Sequence, residues 1–182
     1  MKNYDTIFLD RDGTLNPDPG YINRLEDYSF FDFCIPALKK LSDFRFCIVT
    51  NQSGISRGLI EIDTLNNIHA FVRNSFIENG LNLLQIYICT DHPDKATEHR
   101  KPGLGMFNQA SQEYGIDLEQ SLMIGDSIAD MEAARNIGMD AILVRTGNGA
   151  ESENHYIDSD FPTAVMDNLE KAADWIVGNE TK

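Results

Sequence analysis

Two carboxylates one residue apart, Asp10 and Asp12, close an apolar run and are followed at once by Gly13 and Thr14. Side chains at i and i+2 of an extended segment project to the same side, so both can face one point, while Gly13 lets the chain bend sharply away. Two anions converging in this way need a proton or a cation between them. Complementary polar groups stand in three further segments: Thr50-Asn51-Gln52-Ser53-Gly54, Arg100-Lys101-Pro102-Gly103 and Gly125-Asp126. Together they match the needs of phosphoryl transfer, which are an in-line nucleophile, a cation for the equatorial oxygens and a proton for the leaving oxygen. Asp10 would attack phosphorus to give an aspartyl phosphate, dividing one hard displacement into two easier ones. Mg2+ held by Asp10, Asp126 and the backbone carbonyl of Asp12 fits a hard cation with oxygen ligands. The Asp12 side chain is then left to protonate the leaving alkoxide and afterwards to activate water. Thr50 and Lys101 would fix the transferring oxygens. Asp130, one helical turn beyond Asp126, is placed to orient Lys101 or a water on the metal rather than to bind the metal itself. A calcium loop also begins D-x-D, but its sixth position requires glycine, where this chain has Leu15, and its twelfth requires glutamate, where it has Tyr21.

The elements that must carry these groups alternate. Apolar runs at 5–10, Phe46–Val49, Leu84–Cys89, 122–126 and Ala141–Val144 read as five strands. A further short strand or hairpin arm is expected at Tyr28–Phe31. Helical spacing places helices near Ile35, Leu38 and Leu41; across Leu65, Ile68, Val72 and Phe76, with Asp63 as cap; from Met106 to Tyr114; and across Ile128, Met131 and Ile137. A last helix has Asp167 as cap, Glu170 completing a capping box, and an apolar face of Leu169, Ala172, Ala173 and Ile176. Thr146 to Asp160 reads as a polar loop. His69, beside the apolar stripe of its helix, reads as a packing residue. Strands alternating with helices predict an α/β fold, a doubly wound parallel sheet with helices on both faces. Ligands of such sheets bind beyond the carboxyl ends of the strands, where all the polar groups named above fall.

At 182 residues one domain over 1–182 is expected. The net charge of -14 argues against nucleic acid or an anionic membrane surface as partner, because the long-range field would repel both. No apolar run is long enough to span a bilayer and the N-terminus does not resemble a signal peptide, so a cytoplasmic location and a monomer are expected. Cys34, Cys47 and Cys89 are odd in number and scattered, which reads as reduced thiols.

The residues in this order resemble the haloacid dehalogenase superfamily of phosphatases. Its motifs are D-x-D-G-T, a threonine or serine after the second strand, a lysine, and G-D-x-x-x-D; here they read Asp10 to Thr14, Thr50, Lys101 and Gly125 to Asp130. The longer strings Phe8 to Asn16, Asp18-Pro19-Gly20-Tyr21, Thr50 to Gly58 and Arg100-Lys101-Pro102 resemble the branch of heptose bisphosphate and histidinol-phosphate phosphatases. The resemblance implies a Rossmann-like haloacid dehalogenase fold without a large cap domain and a small sugar phosphate as substrate. It further implies substrate contacts from Asp18, Gly20, Tyr21, Asn51, Gln52, Ser53, Arg100 and Ser127. The 7-phosphate of heptose 1,7-bisphosphate is the expected target, with histidinol phosphate as the alternative. Members of the branch often carry a structural zinc loop, C-x-H then C-x-C before R-K-P, but the corresponding positions here are Cys89, Asp91, Thr97 and His99. Cys89, His92 and His99 would supply only three ligands, and structural zinc sites usually close with four, so zinc is not expected. From a different class, a receiver-like phospho-aspartate switch shares the doubly wound sheet, but its acceptor aspartate follows the third strand, where this chain has Cys89-Thr90.

Overall fold

In the computed structural model, which describes residues 4–180, six parallel strands form one sheet: β1 (Thr6–Leu9), β2 (Arg45–Asn51), β3 (Asn82–Cys89), β4 (Leu122–Gly125), β5 (Asp140–Val144) and β6 (Ala164–Met166). Their order across the sheet is β3-β2-β1-β4-β5-β6. This is the doubly wound order with its switch point between β1 and β4, the two strands followed directly by Asp10 and Asp126. A receiver-like sheet would instead place its third strand beside its first.

Period-two alternation divides the strand residues between two cores. Ile7, Leu9, Phe46, Ile48, Leu122, Ile124, Ile142 and Val144 face α1 (Cys34–Lys40), α2 (Ile62–Glu78) and α6 (Leu169–Glu180). Phe8, Cys47, Val49, Met123, Ala141 and Leu143 face α3 (Gly105–Tyr114) and α4 (Ile128–Ile137). With both faces covered, the middles of the central strands are continuous apolar runs, as a parallel sheet requires. All three cysteines are free and buried, and burial pushes the Cys47 thiol up to about 12. No helix among the described residues is long and apolar enough to cross a membrane.

Several sequence expectations are corrected. Residues 28–31 form no strand; Tyr28 and Phe30 instead pack against Phe71 of α2, with ring centroids 5.8 and 5.7 Å away. Asp63 does not cap α2, because Glu61 holds that position and Asp63 lies inside the first turn, where its charge still complements the helix dipole. For α6 the cap is Asn168, whose Oδ1 accepts from the Lys171 N–H at 3.0 Å, while Asp167 pairs with Arg145. The segment 146–160 is not all loop; it holds the one-turn helix α5 (Gly149–Ser152) and a 3-10 turn, Glu153–Tyr156. The edge strand β6 lies beyond it, in register with Ile142 to Val144.

Candidate active site

Beyond Leu9 the chain folds into a tight loop. The Gly13 N–H donates to the Asn16 carbonyl at 2.7 Å and the Leu15 N–H to the Arg11 carbonyl at 2.8 Å. The loop turns Asp10 toward the ends of β2 and β4, at the floor of a cleft of about 300 Å3.

Lys101 is the hub of the buried half. Its ammonium donates to Asp10 Oδ1 at 2.9 Å, to the Val49 carbonyl at 2.7 Å and to Asp130 Oδ1 at 2.5 Å, which uses all three of its protons. The role foreseen for Lys101, holding transferring oxygens, therefore competes with three protein acceptors. Asn51 positions the lysine: its side-chain amide donates to the Lys101 carbonyl and accepts from the Lys101 N–H, both at 3.1 Å. Asp130 is wholly buried, and its Oδ2 accepts from the Ser127 N–H at 3.1 Å and hydroxyl at 2.6 Å, so it caps α4 and anchors Lys101 with one carboxylate.

Asp126 is gripped by backbone. Its Oδ2 accepts from the Asn148 N–H at 2.7 Å, and two glycines with positive φ press against it. A Cβ on either Gly13 or Gly147 would lie 2.2 Å from that oxygen, so neither position admits a side chain. Asn148 had no signal in the sequence. It follows β5, and only the adjacency of β5 to β4 brings it to the cleft.

Asp10, Asp126 and Asp130 are the described His, Cys, Asp or Glu residues whose ligand atoms converge in a group of three or more, all within 4.8 Å of one another. Both Asp130 oxygens are engaged, whereas Lys101 and Asn148 take Asp10 Oδ1 and Asp126 Oδ2, which leaves Asp10 Oδ2 and Asp126 Oδ1 for a cation. Burial, with Asp130 and Asp126 nearby, raises the Asp10 pKa well above the carboxylate range despite Lys101. Burial and the Asp130 charge push Asp126 up to about 7. Carboxylates crowded with too little positive charge, offering only hard oxygen donors, fit a small divalent cation such as Mg2+.

Asp12 meets opposite surroundings. Arg11 Nε and Nη2 approach its two oxygens at 3.1 and 2.8 Å, Asn16 Nδ2 adds a bond at 2.9 Å, and Gln52 Nε2 another at 2.7 Å. Burial opposes its ionisation, but the Arg11 guanidinium, with Asn16 and Gln52, holds Asp12 below its ordinary pKa. Its side chain is thus committed to donors, and only its backbone carbonyl remains for a metal.

The remaining expected residues divide. Asp18, Gly20, Tyr21, Thr50, Asn51, Gln52, Ser53 and Ser127 line the cleft with Asp10, Asp12, Lys101 and Asp126. Thr50 is buried and its hydroxyl accepts from Gln52 at 2.9 Å. Arg100 does not line the cleft; its Nη1 donates to the Asp91 carbonyl at 3.3 Å. Cys89, His92 and His99 do not converge. Cys89 is buried, His92 Nδ1 accepts from the Asp94 N–H at 3.2 Å, and the His99 ring packs against Gly105. The loop is held instead by Asp91 Oδ2, which accepts from the Thr97 N–H at 2.7 Å and hydroxyl at 2.6 Å.

Comparison with known proteins places this geometry. The HAD-hydrolase-like family model matches residues 98–172. D-glycero-beta-D-manno-heptose-1,7-bisphosphate 7-phosphatase of Yersinia pestis is 38% identical over 95% of this chain and 89% of its own length. The chain belongs to the haloacid dehalogenase phosphatase family. The enzyme of the same name from Escherichia coli K12 is 34% identical over 98% of this chain and 91% of its own. The crystal structure of D,D-heptose 1.7-bisphosphate phosphatase from B. bronchiseptica, complexed with magnesium and phosphate, superposes with a TM-score of 0.88 at 30% identity, covering 96% of this chain and 99% of that one. As a haloacid dehalogenase phosphatase, the protein has its nucleophile candidate just past β1 and its acidic partner just past β4, on either side of the switch point.

Proposed function

We propose that this phosphatase removes the 7-phosphate of D-glycero-D-manno-heptose 1,7-bisphosphate in a Mg2+-dependent reaction through a phosphorylated Asp10, acting as a cytoplasmic monomer of one domain. The observation that carries the reading is Asp10 held by Lys101 beside Asp126 in an open cleft with Asp18, Gly20 and Tyr21 on its wall, in a chain similar over most of its length to phosphatases named for that substrate.

The Asp10 oxygen not given to the cation, Oδ1, attacks phosphorus, the bond from phosphorus to the sugar oxygen breaks, and the alkoxide takes a proton from Asp12. Water then gives a proton back to Asp12 and attacks the phosphoaspartate, releasing phosphate and free Asp10. Mg2+ held by Asp10, Asp126 and the Asp12 carbonyl would neutralise the charge of the transferring phosphoryl oxygens. Lys101 aligns Asp10, and Asn148 fixes the face that Asp126 presents. Asp18, whose Oδ1 accepts from the Gly20 N–H at 2.9 Å, shapes the loop that would meet the sugar together with Tyr21 and Ser53.

Phosphate release measured with Mg2+ on both heptose bisphosphate anomers and on histidinol phosphate tests the reading. A kcat/KM for one heptose anomer exceeding that for histidinol phosphate by about 100-fold or more is expected. Equal or better use of histidinol phosphate would overturn the substrate assignment.

A further inference from the structure

Arg11 is the largest fully buried side chain of the described residues, yet it is neither a ligand of the cleft nor part of the apolar core. Its guanidinium spends Nε and Nη2 on Asp12 and turns Nη1 to His69 Nε2 at 2.9 Å. It lies over the Tyr28 ring, 5.8 Å from the centroid, and that ring is wedged edge-on against Phe30 and Phe71. Arginine has no acceptor, so His69 Nε2 must accept and the imidazole proton must sit on Nδ1. A charged imidazole would offer only donors to a cation. Burial, followed by the Arg11 charge, pushes the His69 pKa down to about 3, which keeps the accepting form in place at neutral pH. A planar fork gains its directional value only when its third corner is also fixed.

We infer that His69 is a positioning residue: from α2 it locks the Arg11 fork, and through that fork it sets the orientation of the Asp12 carboxylate in the cleft. The inference rests on the acid/base role proposed for Asp12. Removing the acceptor frees the guanidinium to rotate on its stem, and Asp12 loses two of the four N–H groups that define its direction. Misplacement of a proton-transfer group by a fraction of an ångström slows the chemical steps without weakening substrate binding.

The test compares His69→Leu, which fills the space but accepts nothing, with His69→Gln, whose amide oxygen can accept, measuring kcat, KM, Tm and the steady-state fraction of phosphoenzyme. His69→Leu is expected to lower kcat about 10-fold with KM changed less than about 2-fold and phosphoenzyme increased. His69→Gln should recover most of kcat even where the Tm values of the two variants match. Arg11→Lys keeps the charge, lacks the fork and leaves His69 intact; a kcat loss of at least the same size is expected, which gives a reading even if His69→Leu does not fold. Equal kcat in the Leu and Gln variants, or parental kcat in Arg11→Lys, would overturn the inference. Asp12→Asn run alongside separates the two levels: parental activity there would sink the acid/base reading itself, whereas an inactive Asp12→Asn beside a fully active His69→Leu would sink the positioning role alone.

Discussion

Asp10 and Asp12 stand two positions apart on one loop, and their surroundings drive them in opposite directions. On the Asp10 side three carboxylates, Asp10, Asp126 and Asp130, share a single ammonium, and the pKa of Asp10 rises. On the Asp12 side one carboxylate receives N–H groups from Arg11, Asn16 and Gln52, and its pKa falls. The first environment asks for a metal and holds the other oxygen of Asp10, through Lys101, in position to attack; the second holds Asp12 ionised and oriented by its donors. Environments that push paired carboxylates apart assign their roles more firmly than the motif does. The resting arrangement suits Asp12 as base for the water step. Its acid role requires the carboxylate, still oriented by the Arg11 fork, to gain a proton as substrate arrives.

The largest effect should come from Asp10→Asn, which leaves no attacking group; kcat is expected to drop by at least about 10^4-fold in a phosphate-release assay. Asp12→Asn should cost about 10^2-fold to 10^4-fold, because only proton transfer is lost. An equal loss in the two variants would erase the division of labour. Asn148→Ala removes the side-chain donor to Asp126 at 3.3 Å but keeps the backbone donor, so a weaker response is expected: about 10-fold more Mg2+ for half-maximal activity, read from a Mg2+ titration.

The smallest effect concerns stability on the Asp12 side. As pH falls from 6.5 toward 3, the unfolded chain protonates His69 while the folded protein keeps it neutral, so stability declines with falling pH across that window. The slope is about 1.4 kcal/mol per pH unit for one group. His69→Gln should flatten it in urea unfolding measured between pH 4 and pH 7 (about one titrating proton fewer). An unchanged slope would show that His69 is not held neutral by the fold.

The contrast also explains what the sequence exposed and what it hid. Strand-end residues such as Asp10, Thr50 and Asp126 are legible because an apolar run ending in a short polar side chain is a local pattern. The five strands and the helices that pack on them follow from periodicity for the same reason. Their partners are not local. Arg11 meets His69 across 58 positions, and Asn148 reaches Asp126 only because β5 lies beside β4. Edge strand β6 is three half-buried residues, too short for alternation to register. The cap of α6 moved by one residue because Asp167 had a competing partner in Arg145. Tyr28, read as part of a strand, instead lies under the buried Arg11, with Phe30 against its edge.

The central claim is the separation of nucleophile from acid/base group, and the most direct measurement is acid-quenched mass spectrometry after mixing enzyme, Mg2+ and heptose bisphosphate. Asp12→Asn should trap one phosphoryl group, mapped by peptide analysis to Asp10, and Asp10→Asn should trap none. A phosphoryl group on any other residue, or an Asp12→Asn enzyme that turns over slowly without ever carrying one, would contradict the account.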